Sequence, residues 1–305
     1  MSTYVFQSAM ARSFKKTLDK IITDDNDGYK AAMMMPKVFD EGTMQDAYVD
    51  DLEIGGPGLM SQKLEGQDVP MGTLLEGFMK RYLARTFALG LAISEEVAED
   101  EKYDQALQSA QRLKRACYLT VDVDAANVFV RATDANYVGG DGVSFASASH
   151  TLPNGNTYSN LFSVAMSPSR VAVTIARAAL KKIPSHDGIA GGGMLKATCV
   201  VCPVEQESAW DVILGSQHAP EPGEFNAINV VNRMGLDLYP WVFWSNTTTN
   251  WALKTDAPNG LRFLWRRRPR SRSWVNNEQG IMKYSVDARW DCGFSDPRAI
   301  YFSNA

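Results

Sequence analysis

Residues Phe87–Gln105 read FALGLAISEEVAEDEKYDQ, and the character of the chain changes within them at Ser94. Before Ser94, apolar and basic residues alternate from Leu74 onward, which predicts a long strand. After Ser94, a good helix N-cap, four acidic residues favour the positive end of a helix dipole: Glu95, Glu96, Glu99 and Asp100. This stretch therefore predicts a strand that leads directly into a capped helix.

The predicted helix has apolar residues at helical spacing at Tyr103, Leu107, Ala110, Cys117 and Val121. If it runs from Glu95 to Tyr118 it is about 36 Å long, at 1.5 Å per residue. That length is unusual in a small globular domain and favours a spine along the body.

An acidic segment precedes the strand, from Lys37 to Glu76. Its only basic residues are Lys37 and Lys63, and its acidic residues are Asp40, Glu41, Asp46, Asp50, Asp51, Glu53, Glu65, Asp68 and Glu76. It has too few large apolar residues for a core of its own, so one interpretation is a mobile acidic loop. Because a basic strand follows, the alternative is a two-stranded projection whose charges pair with each other or across subunits.

The first residues contain an apolar stripe at four-residue steps: Phe6, Met10, Phe14, Leu18 and Ile22. This predicts a helix that must bury its stripe on the main body or on a neighbouring chain.

Downstream, two further helices and a buried strand are predicted. The first helix is capped by Ser167, begins at Pro168 and ends before Pro184. The strand MLKATCVVC follows, and Pro203 opens a helix that ends at Gly215. From Asn226 onward the chain is expected to form short strands and turns.

Composition narrows the class of protein. The chain has 305 residues, 45% hydrophobic and 22% charged, as in soluble folded proteins. Its formal net charge of −4 argues against a dedicated nucleic-acid-binding protein. No apolar run approaches the ~20 residues of a membrane span. Four cysteines are too few for a disulfide scaffold, which favours folding in a reducing cytoplasm.

Three stretches together resemble a known family. They are FALGLAISEEVAEDEKYDQ, the strand–proline–helix run MLKATCVVCPVEQESAWDVILGS at Met194–Ser216, and a tail from MGLDLYPWVFWS at Met234–Ser245 to GIMKYSVDARWDCGFSDPRAIYFS at Gly280–Ser303. In order and spacing they resemble the major capsid proteins of tailed bacteriophages, of the Hong Kong 97-type fold, and most of all Mu-like head subunits. The resemblance covers about Thr73 to the C-terminus.

The resemblance implies an α+β fold in five parts. These are an N-terminal arm (1–36), an extension loop or E-loop (37–92), a peripheral domain with the spine helix (93–198), an axial domain (199–272) and a C-terminal return to the peripheral domain (273–305).

The resemblance also implies a structural function without catalysis or cofactors. Pentamers and hexamers would form an icosahedral shell around double-stranded DNA, assembled in the host bacterial cytoplasm. Scaffold or protease, portal and possible decoration proteins would be partners, and no membrane would be involved.

Subunit contacts are expected in the acidic loop, the basic strand and the arginine-rich run near two tryptophans. The residues are Asp50, Asp51, Glu53, Lys63, Arg81, Arg85, Trp265, Arg266, Arg267, Arg268, Arg270, Arg272 and Trp274. The arginines could instead contact packaged DNA phosphates, but the acidic segment favours contacts between subunits. Some members of the resembled family crosslink a loop lysine to an asparagine of a neighbouring subunit. For Lys63, the sequence identifies no such partner.

The sequence contains one motif that could suggest a metal or redox site. Cys199 and Cys202 form CVVC, but no second pair completes a zinc site, and residues three apart on a strand face opposite sides. Core packing is therefore expected. Two alternatives remain open: an encapsulin-type shell that encloses protein cargo, and a metal-dependent enzyme that uses CVVC and one of His150, His186 and His218.

Overall fold

The computed structural model describes residue 20 and residues 28–94, 103–218, 227–244, 247–276 and 281–304. Apart from Lys20, the predicted helix from Phe6 to Ile22 lies outside these residues. Among the described helices, none has the length and apolar character that a membrane crossing requires.

In the first half of the chain, the described residues form two short helices, four strands and one long helix. They are α1 (Gly28–Ala32), α2 (Met35–Val38), β1 (Asp40–Thr43), β2 (Tyr48–Ile54), β3 (Glu76–Leu83), β4 (Arg85–Ser94) and the spine helix α3 (Tyr103–Val130). The predicted long strand from Leu74 to Ser94 is thus two strands with Ala84 between them.

The second half is richer in strands. Its elements are β5 (His150–Thr151), β6 (Thr157–Tyr158), α4 (Arg170–Lys182), β7 (Ala197–Pro203), α5 (Glu207–Gly215), β8 (Asp237–Trp241), β9 (Trp251–Thr255), β10 (Leu261–Asn276), β11 (Ile281–Phe294) and β12 (Ile300–Ser303), with 3-10 turns at Val204–Gln206, Asn232–Met234 and Pro297–Ala299.

The spine helix packs on a sheet with the strand order β1-β10-β11-β4. Alternate residues of β11 are buried on one face: Tyr284, Val286, Ala288 and Trp290. Val286 joins Leu113 of α3 in one apolar cluster, and Trp290 joins Val121 and Phe129 of α3 in another. Alternate residues of β11 and residues at helical spacing along α3 thus pack together and form the first core.

A second sheet, with the order β12-β9-β7-β8, has a central strand that is buried on both faces. Cys199 and Val201 of β7 join the cluster of the spine helix, whereas Val200 and Cys202 join a second cluster that includes Trp210 of α5. The core role predicted for CVVC is confirmed, because the two thiols lie on opposite faces of β7. They cannot share one metal ion.

Several predicted boundaries are wrong. The spine helix continues to Val130 instead of ending at Tyr118, because Val121, Ala125 and Phe129 are buried against the sheet. Helix α4 starts later than predicted, since Ser169 rather than Ser167 caps it by accepting a hydrogen bond from the Ala172 amide. Pro203 ends β7, and α5 begins only at Glu207, after a 3-10 turn.

The short strands predicted after Asn226 are also wrong in part. Strands β10 and β11 have 16 and 14 residues and form one long hairpin, with β4 paired along the other side of β11. The arginines of β10 hid this strand in the sequence, because its pattern after Trp265 is charged rather than apolar.

Candidate functional site

The acidic segment and the basic strand form a two-stranded arm. Strands β2 and β3 pair antiparallel, with Asp50 opposite Arg81 and Asp51 opposite Lys80, which confirms the predicted pairing. Residues 57–75 between them are all exposed, including Leu59, Met60 and Met71. We call residues 55–75 the loop tip.

Charges on the arm are paired within the chain. Arg81 donates two hydrogen bonds to Asp50, of 2.6 and 2.7 Å, and these hold the pKa of Asp50 below its usual value. Asp51 accepts a hydrogen bond from Ser295 and forms an ion pair of 2.7 Å with Arg262 of β10. Asp51 therefore joins the root of the arm to the main sheet, and both carboxylates have a partner within their own chain.

Glu53 enters a partly buried polar cluster that the sequence did not predict. Its carboxylate contacts Nδ1 of His186, and Nε2 of the same ring contacts the Arg298 guanidinium. Arg298 also holds both carboxylate oxygens of Asp296, at 2.6–3.0 Å. A guanidinium can only donate, so Nε2 of His186 accepts and Nδ1 carries the hydrogen that faces Glu53.

The surroundings shift both titratable partners. Burial, and then the charge of Asp296, raise the pKa of Glu53 to about 7. Burial, and then the charge of Arg298, lower the pKa of His186 to about 4. Ligand atoms of Glu53, His186 and Asp296 lie within 4.8 Å of one another, the spacing of a metal site. Arg298 occupies Asp296, however, and would face any bound cation, so the cluster fits a protonated Glu53 beside a neutral His186 better than a metal ion.

Arg85 also has its partners within the chain. Its guanidinium contacts Asp124 of the spine helix at 2.8 Å and Asp291 of β11 at 3.0 Å. Trp290 donates a hydrogen bond from Nε1 to the same Asp124, at 2.8 Å. Arg85 thus links the start of β4 to the helix and to the hairpin.

The first part of the arginine run faces β1. Arg268 pairs with Glu41 at 3.3 Å and lies over the Trp265 ring, and Arg266 donates to the Met44 carbonyl. Trp265 is buried and donates to Glu41, so it belongs to the core.

The second part of the run converges on one carboxylate. Arg267, Arg270 and Arg272 all contact Asp287 of β11, the last two at 3.4 and 3.2 Å. Trp274 is half exposed and lies opposite Lys283. Of the predicted contact residues, Lys63 lies in the exposed loop tip, and the side chains of Arg268, Arg272 and Arg81 are 64%, 55% and 51% exposed.

Comparison with solved structures defines the class of this fold. The chain superposes on the capsid of an empty GTA particle with a TM-score of 0.51 and 15% identity, over 89% of each chain. It superposes on the capsid protein of cyanophage P-SCSP1u with a TM-score of 0.56 and 10% identity, over 88% of this chain and 86% of the other. It superposes on a virus-like particle from Pyrococcus furiosus with a TM-score of 0.56 and 8% identity, over 95% of this chain and 98% of the other. The fold is that of Hong Kong 97-type shell proteins.

A sequence profile described as "phage capsid protein" matches residues 79–303, most of the chain. The chain therefore belongs to the phage capsid protein family, and it is a structural protein of the virion shell rather than an enzyme. No curated protein matches it. Particular closeness to Mu-like phages stays a prediction.

Proposed function

We propose that this chain is the major capsid subunit of a tailed phage, which forms pentamers and hexamers that close an icosahedral shell around double-stranded DNA. In this proposal the shell assembles in the host cytoplasm with scaffold or protease, portal and possible decoration proteins. The arm (1–36), E-loop (37–92), peripheral (93–198 and 273–305) and axial (199–272) parts divide the work as the family resemblance implies.

The loop tip carries the proposal. It exposes Leu59, Met60, Leu64, Val69 and Met71 on a segment with almost no burial in its own chain. Exposed apolar groups of this kind mark interaction surfaces. A loop that cannot bury them on its own body is suited to cover a neighbouring subunit in a ring of identical chains.

Electron microscopy of the purified protein, with sedimentation to size the particles, tests the proposal. We expect icosahedral shells or rings of five and six, either spontaneously or on co-expression with the neighbouring phage proteins. A chain that stays monomeric under both conditions would overturn the proposal.

One observation favours a second function. The superposition on the Pyrococcus furiosus particle covers nearly all of both chains, which suits an encapsulin-type shell as well. The contents of purified particles separate the two: packaged DNA supports the phage head, whereas protein cargo without DNA supports the compartment.

A further inference from the structure

Among the described residues, one face of the main sheet carries more positive than negative side chains. We call it the arginine face, and it consists of Arg267, Arg270 and Arg272 on β10 with Lys283, Asp287 and Arg289 on β11. Asp287 is the only carboxylate in this set, and three guanidinium groups share it.

The arrangement leaves donors unsatisfied. Arg267 lies directly opposite Arg289 in the strand register, and like charges in that position repel. The Nε atoms of both arginines are buried and have no hydrogen-bond partner among the described residues. Burial and the neighbouring arginines lower the pKa of Arg267. Arg270 and Arg272 share Asp287 and have side chains that are 46% and 55% exposed, so these two arginines can contact a further anion.

Beside the arginines lies a shallow floor. Thr86, Ala88, Gly90 and Ala92 of the edge strand β4 are exposed, and they lie opposite Arg289, Asp287, Ser285 and Lys283. Three strands at ~4.8 Å spacing make this face about 10 Å wide. An extended peptide with carboxylates and modest apolar side chains fits such a trough, whereas a DNA duplex would overhang it and meet a chain of net charge −4.

Some carboxylates of the extension loop are already paired within their own chain. Asp50, Asp51 and Glu53 are already engaged with Arg81, Arg262 and His186. Glu65 and Asp68 of the loop tip are exposed and have no polar partner among the described residues. Their neighbours Leu64 and Val69 are exposed apolar groups that suit the floor of β4.

The topology separates the loop tip from the arginine face of its own chain. Strand β4 starts opposite Trp290 and ends opposite Ile281 of β11. Strand β3, which connects the tip to β4, instead lies at the other end of β11. There Tyr82 is hydrogen-bonded to Ser295, and Lys80 lies over the Phe294 ring. From Glu76 to Ala88 the extended chain covers roughly 40 Å at ~3.3 Å per residue. A head-to-tail contact between two copies brings the loop tip of one copy to the arginine face of the next without this separation.

We propose that the arginine face receives Glu65 and Asp68 from the loop tip of a second copy, with Leu64 and Val69 on the floor of β4. This rests on the proposed function and names the surface that accepts the loop. The contact is heterologous, so a ring of subunits uses it once per neighbour.

A charge exchange tests the pairing. Variants E65K/D68K and R270E/R272E are compared with their combination and with the control D46K/E76K, which changes two exposed acidic residues nearer the root of the same loop. Shell yield is measured by sedimentation and electron microscopy, and folding by thermal unfolding. We expect at least a tenfold loss of shells in each double variant, normal yield in the control and substantial recovery in the combination.

Normal shells from E65K/D68K would overturn the inference, and so would a folded combination that fails to recover. If R270E/R272E does not fold, R272E alone is paired with E65K, because the Arg272 side chain is 55% exposed. Wild-type protein that forms no shells, even on co-expression with the neighbouring phage proteins, would overturn the proposed function itself, whereas wild-type shells with an unaffected E65K/D68K variant would overturn only this contact.

Discussion

At the scale of single residues, folding changes which of two side chains, His186 or Glu53, carries a proton. Their ordinary pKa values are 4.5 and 6.5, and in the folded protein these become about 7 and about 4. Between about pH 4.5 and 6.5 the unfolded chain holds the proton on His186 and the folded chain holds it on Glu53. The number of bound protons is the same, so this pair contributes no pH dependence of stability in that range.

The pKa shifts of Glu53 and His186 change the stability of the folded chain with pH in opposite directions. The raised pKa of Glu53 stabilises the folded chain below about pH 4.5, and this contribution is lost as pH rises to about 7. The lowered pKa of His186 stabilises it above about pH 6.5, and this contribution is lost as pH falls to about 4. Burial is the main cause of both shifts, so each survives removal of the other residue.

We therefore predict that Glu53→Gln makes stability depend on pH. The free energy of unfolding should rise between about pH 4 and 6.5, with a slope of at most ~1.4 kcal/mol per pH unit. His186→Gln should show the reverse trend, a fall between about pH 4.5 and 7. Urea denaturation across this range measures both slopes against wild type, and a flat profile for Glu53→Gln would contradict the lowered pKa of His186.

At the scale of elements, the arm depends on a close approach between its two strands. A Cβ atom on Gly77 of β3 would lie 2.8 Å from the Glu53 carbonyl oxygen and 2.9 Å from its Cβ atom. The backbone of β2 would have to move, and the contacts of Glu53 and Asp51 with the body would move with it.

Gly77→Ala is accordingly expected to destabilise the protein by ~1–3 kcal/mol, the usual cost of overpacking. Thermal and urea unfolding measure this change. Gly215→Ala is the matched control, because nothing lies within 4 Å of a Cβ atom at the end of α5, and its effect should stay within ~0.5 kcal/mol. Equal effects of the two substitutions would contradict the tight packing of the arm.

At the scale of the whole molecule, the loop tip and the body are energetically separable. The two largest apolar clusters of the described body lie on either side of β7, and the tip contributes no side chain to either of them. The tip therefore serves contacts outside its own chain rather than the stability of the subunit.

Replacing residues 55–75 with Asn-Gly, a turn suited to a two-residue hairpin, tests this separation. The free energy of unfolding should change by less than ~1 kcal/mol, while shells disappear in electron micrographs. Shells of normal size would show that assembly does not use the loop, and an unfolded body would show that the tip belongs to the fold.

The sequence alone determined the local patterns. The strand that ends at Ser94, the buried CVVC strand and the pairing of an acidic with a basic strand follow from periodicity and from charge close in the chain. Family membership followed from the order of several such segments, none of which is decisive by itself.

Only the tertiary structure decided which distant side chains meet. The end of the spine helix at Val130, the Glu53–His186–Arg298 cluster and the sharing of Asp287 by three arginines depend on contacts between separate elements. Local propensity does not encode such contacts, because burial and long-range register determine the pKa of Glu53 and the face on which an arginine lies. A turn histidine and a row of arginines therefore acquire their roles only once the strands are aligned.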